Sequence, residues 1–318
     1  MFHVKHGGYS VSRETFSTKN NIKSGKGLNE YIFTVKRKST ECCRGLIQTS
    51  RKDGYMKNKL GKIIALANQK GGVGKTTTAI NLSAALAKLG RKVLLVDSDP
   101  QGNASSGLGI NSREKEKHLY HCYIGDTKTD RAICSTDHFD SLHVIPTHID
   151  LIGVEIELMS EPKRESFLAK AIRPVAKSYD YILIDCPPSL GLLTLNALTA
   201  ADSVIIPMQC EYFALEGLSQ LIRTIRLVKN SYNSSLLIEG LLLTMFDRRN
   251  RLTFQVAKEI RDHFKDKVYD TVIPRNVRLS ESPSHGKPVI IYDMDSSGAR
   301  SYMNLGKELL KKAEKRVK

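Results

Sequence analysis

The run Gln69-Lys70-Gly71-Gly72-Val73-Gly74-Lys75-Thr76-Thr77-Thr78 constrains this chain more than any other stretch. It is a phosphate-binding loop of the Gly-rich, Lys-Thr type, but Gln69 stands where the first glycine is usual and Lys70 follows it. Its surroundings fit such a loop. Residues 62–67 read as a short buried strand. Residues 76–89 read as a helix, with Ala79, Ile80, Leu82, Ala85, Leu86 and Leu89 at helical spacing. Amides at Gly71, Gly72 and Gly74 can point at phosphate oxygens, and the helix N-terminus adds partial positive charge. Lys75 can reach terminal phosphates, and the Thr76 hydroxyl can ligate Mg²⁺. One lysine suffices for one nucleotide, so Lys70 needs a separate explanation.

Two acidic segments follow at strand ends. Residues 92–96 run into Asp97-Ser98-Asp99-Pro100-Gln101-Gly102-Asn103, and residues 181–184 run into Asp185-Cys186-Pro187-Pro188. Ligands of parallel α/β sheets collect at the carboxyl ends of strands. Asp99 and Asp185 are therefore placed to hold Mg²⁺ or orient water beside the loop. Asp97 fits equally well as a turn or capping residue.

Together these segments resemble the three nucleotide motifs of ParA-type chromosome-partitioning ATPases, the Soj branch. The stretches 243–248 and 272–288 resemble that family too. The likeness spans about residues 60–315. It implies a single P-loop NTPase domain of α/β class, with a mainly parallel twisted sheet and helices on both faces. ATP and Mg²⁺ are the implied cofactors. The resemblance also explains Lys70, which in this family crosses to the phosphates bound by a second subunit. Charge supplied in trans stabilises charge developing on the transferred phosphoryl group. The cofactor-binding residues implied are Lys70, Gly71, Gly72, Val73, Gly74, Lys75, Thr76 and Thr77, with Pro274 and Asn276 at adenine. Lys70, Lys75 and Asp99 are the implied catalytic residues. Thr76 would hold Mg²⁺, and Asp185 would support it through water. Implied partners are a second copy of the chain in an ATP-dependent homodimer, non-specific double-stranded DNA and a ParB-type centromere-binding protein. The implied location is the cytoplasm, associated with the nucleoid.

Alternating elements after residue 60 predict one α/β domain over 56–318. Further strands are expected at 142–145, 203–207 and 236–243, and helices at 214–229 and 254–264. The net charge is +16. Residues 1–55 hold 11 Lys/Arg and 4 Asp/Glu, hence +7, which leaves +9 for the rest. Such a surface attracts phosphate backbones without reading sequence. Arg248, Arg249, Arg251, Arg275, Arg278 and the basic C-terminus are candidates. Relatives use arginines near Arg248 and Arg278 for DNA.

Residues 1–55 lack periodicity and read as a basic N-terminal extension. Met1-Phe2-His3-Val4-Lys5-His6 can be back-translated as ATGTTTCACGTGAAACAT, whose interior is an inverted repeat similar to the DNA site bound by ParB. The expectation is a partition site upstream of the gene, with translation starting at Met56.

Other classes fit less well. A membrane-positioning ATPase of the MinD type needs a bulky amphipathic C-terminal helix. Leu305, Leu309, Leu310, Ala313 and Val317 instead predict a helix docked on the core, without a stable membrane anchor. No apolar run reaches the ~18 residues of a membrane span. The six cysteines include no Cys-x-x-Cys pair, so they suggest neither zinc nor an iron–sulfur electron carrier, and Cys186 reads as packing. A sporulation or replication regulator using the same ATP switch remains open.

Overall fold

The computed structural model describes residues 60–211 and 214–317, with side chains through residue 315. The N-terminal extension and the expected start at Met56 lie outside the described residues. Seven strands form one sheet: β1 Lys62–Leu66, β2 Val93–Asp97, β3 Cys134–Ser135, β4 Leu142–Ile145, β5 Tyr181–Asp185, β6 Ser203–Gln209 and β7 Leu237–Thr244. Their spatial order is β3-β4-β2-β5-β1-β6-β7. Every pairing is parallel except that of β3 with β4 at one edge. The principal helices are α1 Lys75–Lys88, α2 Leu119–Ile124, α3 Phe167–Ile172, α4 Leu192–Ala200, α5 Ala214–Ser231, α6 Arg251–Phe264 and α7 Ser297–Val317.

Alternation along the strands explains the layering. Ile63, Ala65, Leu94, Val96, Ile182 and Ile184 face one core, which α2 to α6 cover. Ile64, Leu66, Val93, Leu95 and Leu183 face the opposite core, covered by α1 and α7. Successive side chains of a strand point to opposite faces, so strands buried on both faces read as unbroken apolar runs. That is why 62–67, 92–96 and 181–184 were recognisable. The expected bounds shift by a few residues at most. Asp97 and Asp185 close their strands rather than begin the following loops.

Helix α7 docks as its apolar spacing predicts. Leu305 and Leu309 are fully buried, in one cluster with Ala85 and Leu86 of α1. Thr78 bonds the Gly74 carbonyl at 2.6 Å and shares a 3.1 Å hydrogen bond with Tyr302. The C-terminal helix therefore braces the first turns of α1. Among the described residues, no helix is long and apolar enough to cross a membrane.

Candidate nucleotide site

All the phosphate-loop residues lie at the carboxyl end of β1, between β5 and β6. Gly72 (φ 73°) and Gly74 (φ 85°) occupy the left-handed region, which β-carbon-bearing residues enter at a cost. Gly74 also serves as the N-cap of α1, and no side chain caps the helix there. The first-turn amides of a 14-residue helix are left to an anion, and no acidic residue in that turn repels one.

Neighbouring strand ends hold the loop in place. Thr244, the last residue of β7, donates to the Val73 carbonyl at 2.8 Å. Gln209 at the end of β6 donates to the Gly72 carbonyl at 3.2 Å. Asn68 donates to the Pro207 carbonyl at 2.7 Å and accepts the Lys70 amide at 3.1 Å. With the Val73 and Gly72 carbonyls taken, the polar groups these residues still offer are amides. Sequence reasoning missed Asn68, Gln209 and Thr244. Their only signal is polarity next to apolar strands.

The two loop lysines part company. Lys75 is buried, and its ammonium meets only the Lys70 carbonyl, at 3.4 Å. Burial lowers its pKa, while Asp185, Cys186 and Asp99 pull it back up. Lys70 is exposed and ion-paired with Glu211, just beyond β6. One amine thus turns into its own loop, and the other turns to the surface.

The acidic residues converge as expected. Register pairs Asp97 directly with Asp185 across β2 and β5. Both are fully buried. Asp97 accepts from the Ser105 amide at 2.8 Å and its hydroxyl at 2.6 Å, which gives it a positioning role. Burial still raises it to about 6. Burial and the adjacent Asp97 raise Asp185 well above the carboxylate range; the Thr76 hydroxyl and Lys75 oppose that rise. Thr76 is near enough to act on the charge, yet neither Asp185 oxygen has a partner of hydrogen-bond geometry. Asp99 accepts the Gln101 amide at 3.1 Å, so its turn role and its place beside the loop coexist.

A cavity of about 300 Å³ adjoins the loop, lined by Gly74, Thr77, Thr244, Pro274, Asn276 and Tyr302, among others. Pro274 and Asn276 therefore stand next to the phosphate loop. The Asn276 side chain donates to Ser297 at 2.8 Å, and its carbonyl oxygen is buried without a partner. An exocyclic amine is the complement such an acceptor needs. A larger groove of about 790 Å³ lies between α2 and α3, and none of the expected site residues lines it.

The arginines differ. Arg248 is exposed beyond β7. Arg278 is about half exposed but bonded to Glu281 at 2.9 Å and to Asp293 at 3.2 Å, which sequence reading did not anticipate. Cys122, Cys186 and Cys210 are buried and Cys134 is half-buried, all as free thiols. Burial holds the Cys186 thiol well above its usual range, in keeping with a packing role.

Left-handed glycines, an uncapped helix start, a buried lysine and an unpartnered buried carboxylate define a P-loop nucleotide hydrolase. The donor set fits a triphosphate with Mg²⁺: amides and an ammonium for the phosphates, a hydroxyl and a carboxylate for a hard cation. Residues 61–238 match the family described as "AAA domain". The sporulation initiation inhibitor protein Soj of Bacillus subtilis is 59% identical over 250 residues, 79% of this chain and 98% of that protein. The chromosome partitioning protein ParA of Myxococcus xanthus is 56% identical over 253 residues, 80% of this chain and 89% of that one. Among solved structures, cobyrinic acid a,c-diamide synthase of Mycobacterium smegmatis superposes with TM-score 0.70 at 36% identity, over 80% of this chain and 96% of that one. It was solved with ADP and magnesium, and with an ATP analog and magnesium. The chain belongs to the ParA/Soj family of chromosome-partitioning ATPases.

Proposed function

We propose that this ATPase works as an ATP-timed DNA grip for chromosome segregation. Two copies would close face to face over two ATP molecules, and each would insert Lys70 into the other's phosphate site. The closed dimer binds double-stranded DNA without sequence preference. A ParB-type protein stimulates hydrolysis, which opens the dimer and releases the DNA. The observation that carries this reading is the division of labour between the lysines. Lys75 is buried in its own loop, whereas Lys70 lies exposed against Glu211. An exposed cation beside a phosphate loop that already has its lysine is suited to a neighbour's site.

Within each site, amides of Gly71, Gly72, Val73 and Gly74 and the Lys75 ammonium would bind the phosphates. Thr77 and Pro274 would wall the nucleotide, and Asn276 would orient adenine. Thr76 would hold Mg²⁺, with Asp185 behind it through water. Bound there, the ion would neutralise charge on the phosphates. Asp99 would orient the attacking water. Such dimers would sit on the nucleoid through Arg248 and Arg278. DNA must compete with Glu281 and Asp293 for Arg278, so Arg248 is the readier contact.

DNA binding in ATP, in ADP and without nucleotide tests the reading. Salt-sensitive, sequence-independent binding is expected with ATP alone, and it should be lost in Lys70→Ala. Equal binding in all three states would contradict it.

A further inference from the structure

On the far side of β2 from the phosphate loop, the loop after β4 meets the start of α2. The Leu119 amide donates to the Pro146 carbonyl at 2.9 Å and fastens the two segments together. His118 precedes α2, and His148 and Asp150 follow β4. The His118 and His148 rings lie 5.2 Å apart, and His148 Nδ1 is 2.8 Å from an Asp150 carboxylate oxygen. One potential ligand atom from each residue falls within 4.8 Å of the other two, and no other such trio occurs among the described residues. His118 is 95% buried, and its Nδ1 has no hydrogen-bond partner.

We propose that His118, His148 and Asp150 form a binding site for a divalent ion of the zinc type. Two imidazole nitrogens and one carboxylate oxygen are a donor set that zinc binds with a fourth position left to water. Bonds of about 2.0–2.2 Å bring ligand atoms to roughly 3–3.5 Å from one another. His148 and Asp150 are the outer pair and supply the small adjustment, while His118 is fixed by burial. Lys117, the nearest basic neighbour in sequence, is ion-paired with Asp126 at 2.8 Å. Magnesium prefers six oxygen ligands and does not suit these imidazoles, so the site is chemically distinct from the one beside Thr76. Among the described residues, no cysteine takes part. The pattern escapes sequence inspection because 30 residues separate His118 from His148.

An ion there would tie α2 to the loop after β4. That loop also reaches the nucleotide edge, since the Thr147 amide donates to Ser105 Oγ at 3.4 Å and Ser105 in turn bonds Asp97. The proposal does not depend on the function proposed above.

The test uses metal-stripped, untagged full-length protein titrated with Zn²⁺ against a chromophoric chelator, in millimolar Mg²⁺. Wild type should bind one equivalent more than His148→Ala and Asp150→Ala, or bind the shared equivalent at least ~10-fold more tightly. Zn²⁺ should raise the melting temperature of wild type and of neither variant. Both substitutions change outer side chains, so the variants keep the fold, and their metal-free melting curves check this. Co²⁺ substitution should give visible bands without a thiolate charge-transfer band. The proposal is overturned if wild type and both variants bind Zn²⁺ alike, if none of them binds it, or if a thiolate band dominates. Subtracting the variants removes any contribution from His3, His6, Cys42 or Cys43.

Discussion

Lys70 is ion-paired with Glu211 of its own chain, with the two side chains 48% and 50% exposed. An ion pair this open to water is worth less than about 1 kcal/mol. It parks the ammonium outside its own phosphate site without committing it there. Removing the carboxylate frees the lysine for a partner. Glu211→Gln should therefore form the ATP-dependent dimer at lower protein concentration, by no more than about five-fold per chain. Sedimentation velocity across a dilution series checks this. Dimerisation weakened in Glu211→Gln would instead make Glu211 an interface residue.

Asp185 is a fully buried carboxylate whose oxygens lack partners, next to Asp97. Such a group destabilises the chain until a cation answers it. In Asp185→Asn the nucleotide-free protein should melt higher, by about 2–4 °C for each kcal/mol of relief. Its affinity for ATP with Mg²⁺ should fall at least ~10-fold. Calorimetry measures both, and a variant that melts no higher and binds equally well would remove Asp185 from the site.

The sign of the Asp97 effect on stability follows from its raised value. Its ordinary value is 3.8, and burial raises it to about 6 in the folded chain, against the pull of the two Ser105 hydrogen bonds. Between those values the folded chain keeps a proton that the unfolded chain has released. This contribution to stability therefore falls as pH rises through the window. Asp97→Asn has no such proton to release, so wild type should lose ground to the variant between about pH 4 and about pH 6. Paired melting curves of the nucleotide-free proteins test it, and a constant gap would contradict it.

Leu305 is fully buried where α7 meets α1. Leu305→Ala should cost about 2–5 kcal/mol of stability. The loss should also reach the nucleotide site, because Tyr302 on the same helix bonds Thr78 one turn into α1. Denaturant melts and the KM for ATP report the two effects. A variant that is destabilised with unchanged KM would separate α7 from the site.

Much of this site is local in sequence, and that part was legible. The loop and its helix rest on one unbroken stretch, and apolar runs marked β1, β2 and β5. Helical spacing of Leu305 and Leu309 foretold the docking of α7. What escaped is tertiary. Thr244 reaches the Val73 carbonyl across 171 residues, and Gln209 reaches Gly72 across 137. The register that sets Asp97 beside Asp185, and the Glu281 and Asp293 partners of Arg278, exist only once the chain is folded. Strand β3 has two residues, too few for any periodicity.

If Lys70 acts across the dimer, two variants that are inactive alone should complement each other when mixed. Lys70→Ala keeps its own Asp99, and Asp99→Ala keeps the lysine it would lend. Each alone should hydrolyse ATP poorly. Mixed in equal amounts, half of the dimers pair unlike chains and contain one complete site, so about a quarter of wild-type turnover should return. A mixture as inactive as its components, under conditions where the two are shown to form mixed dimers, would place Lys70 in its own chain's site and contradict the account.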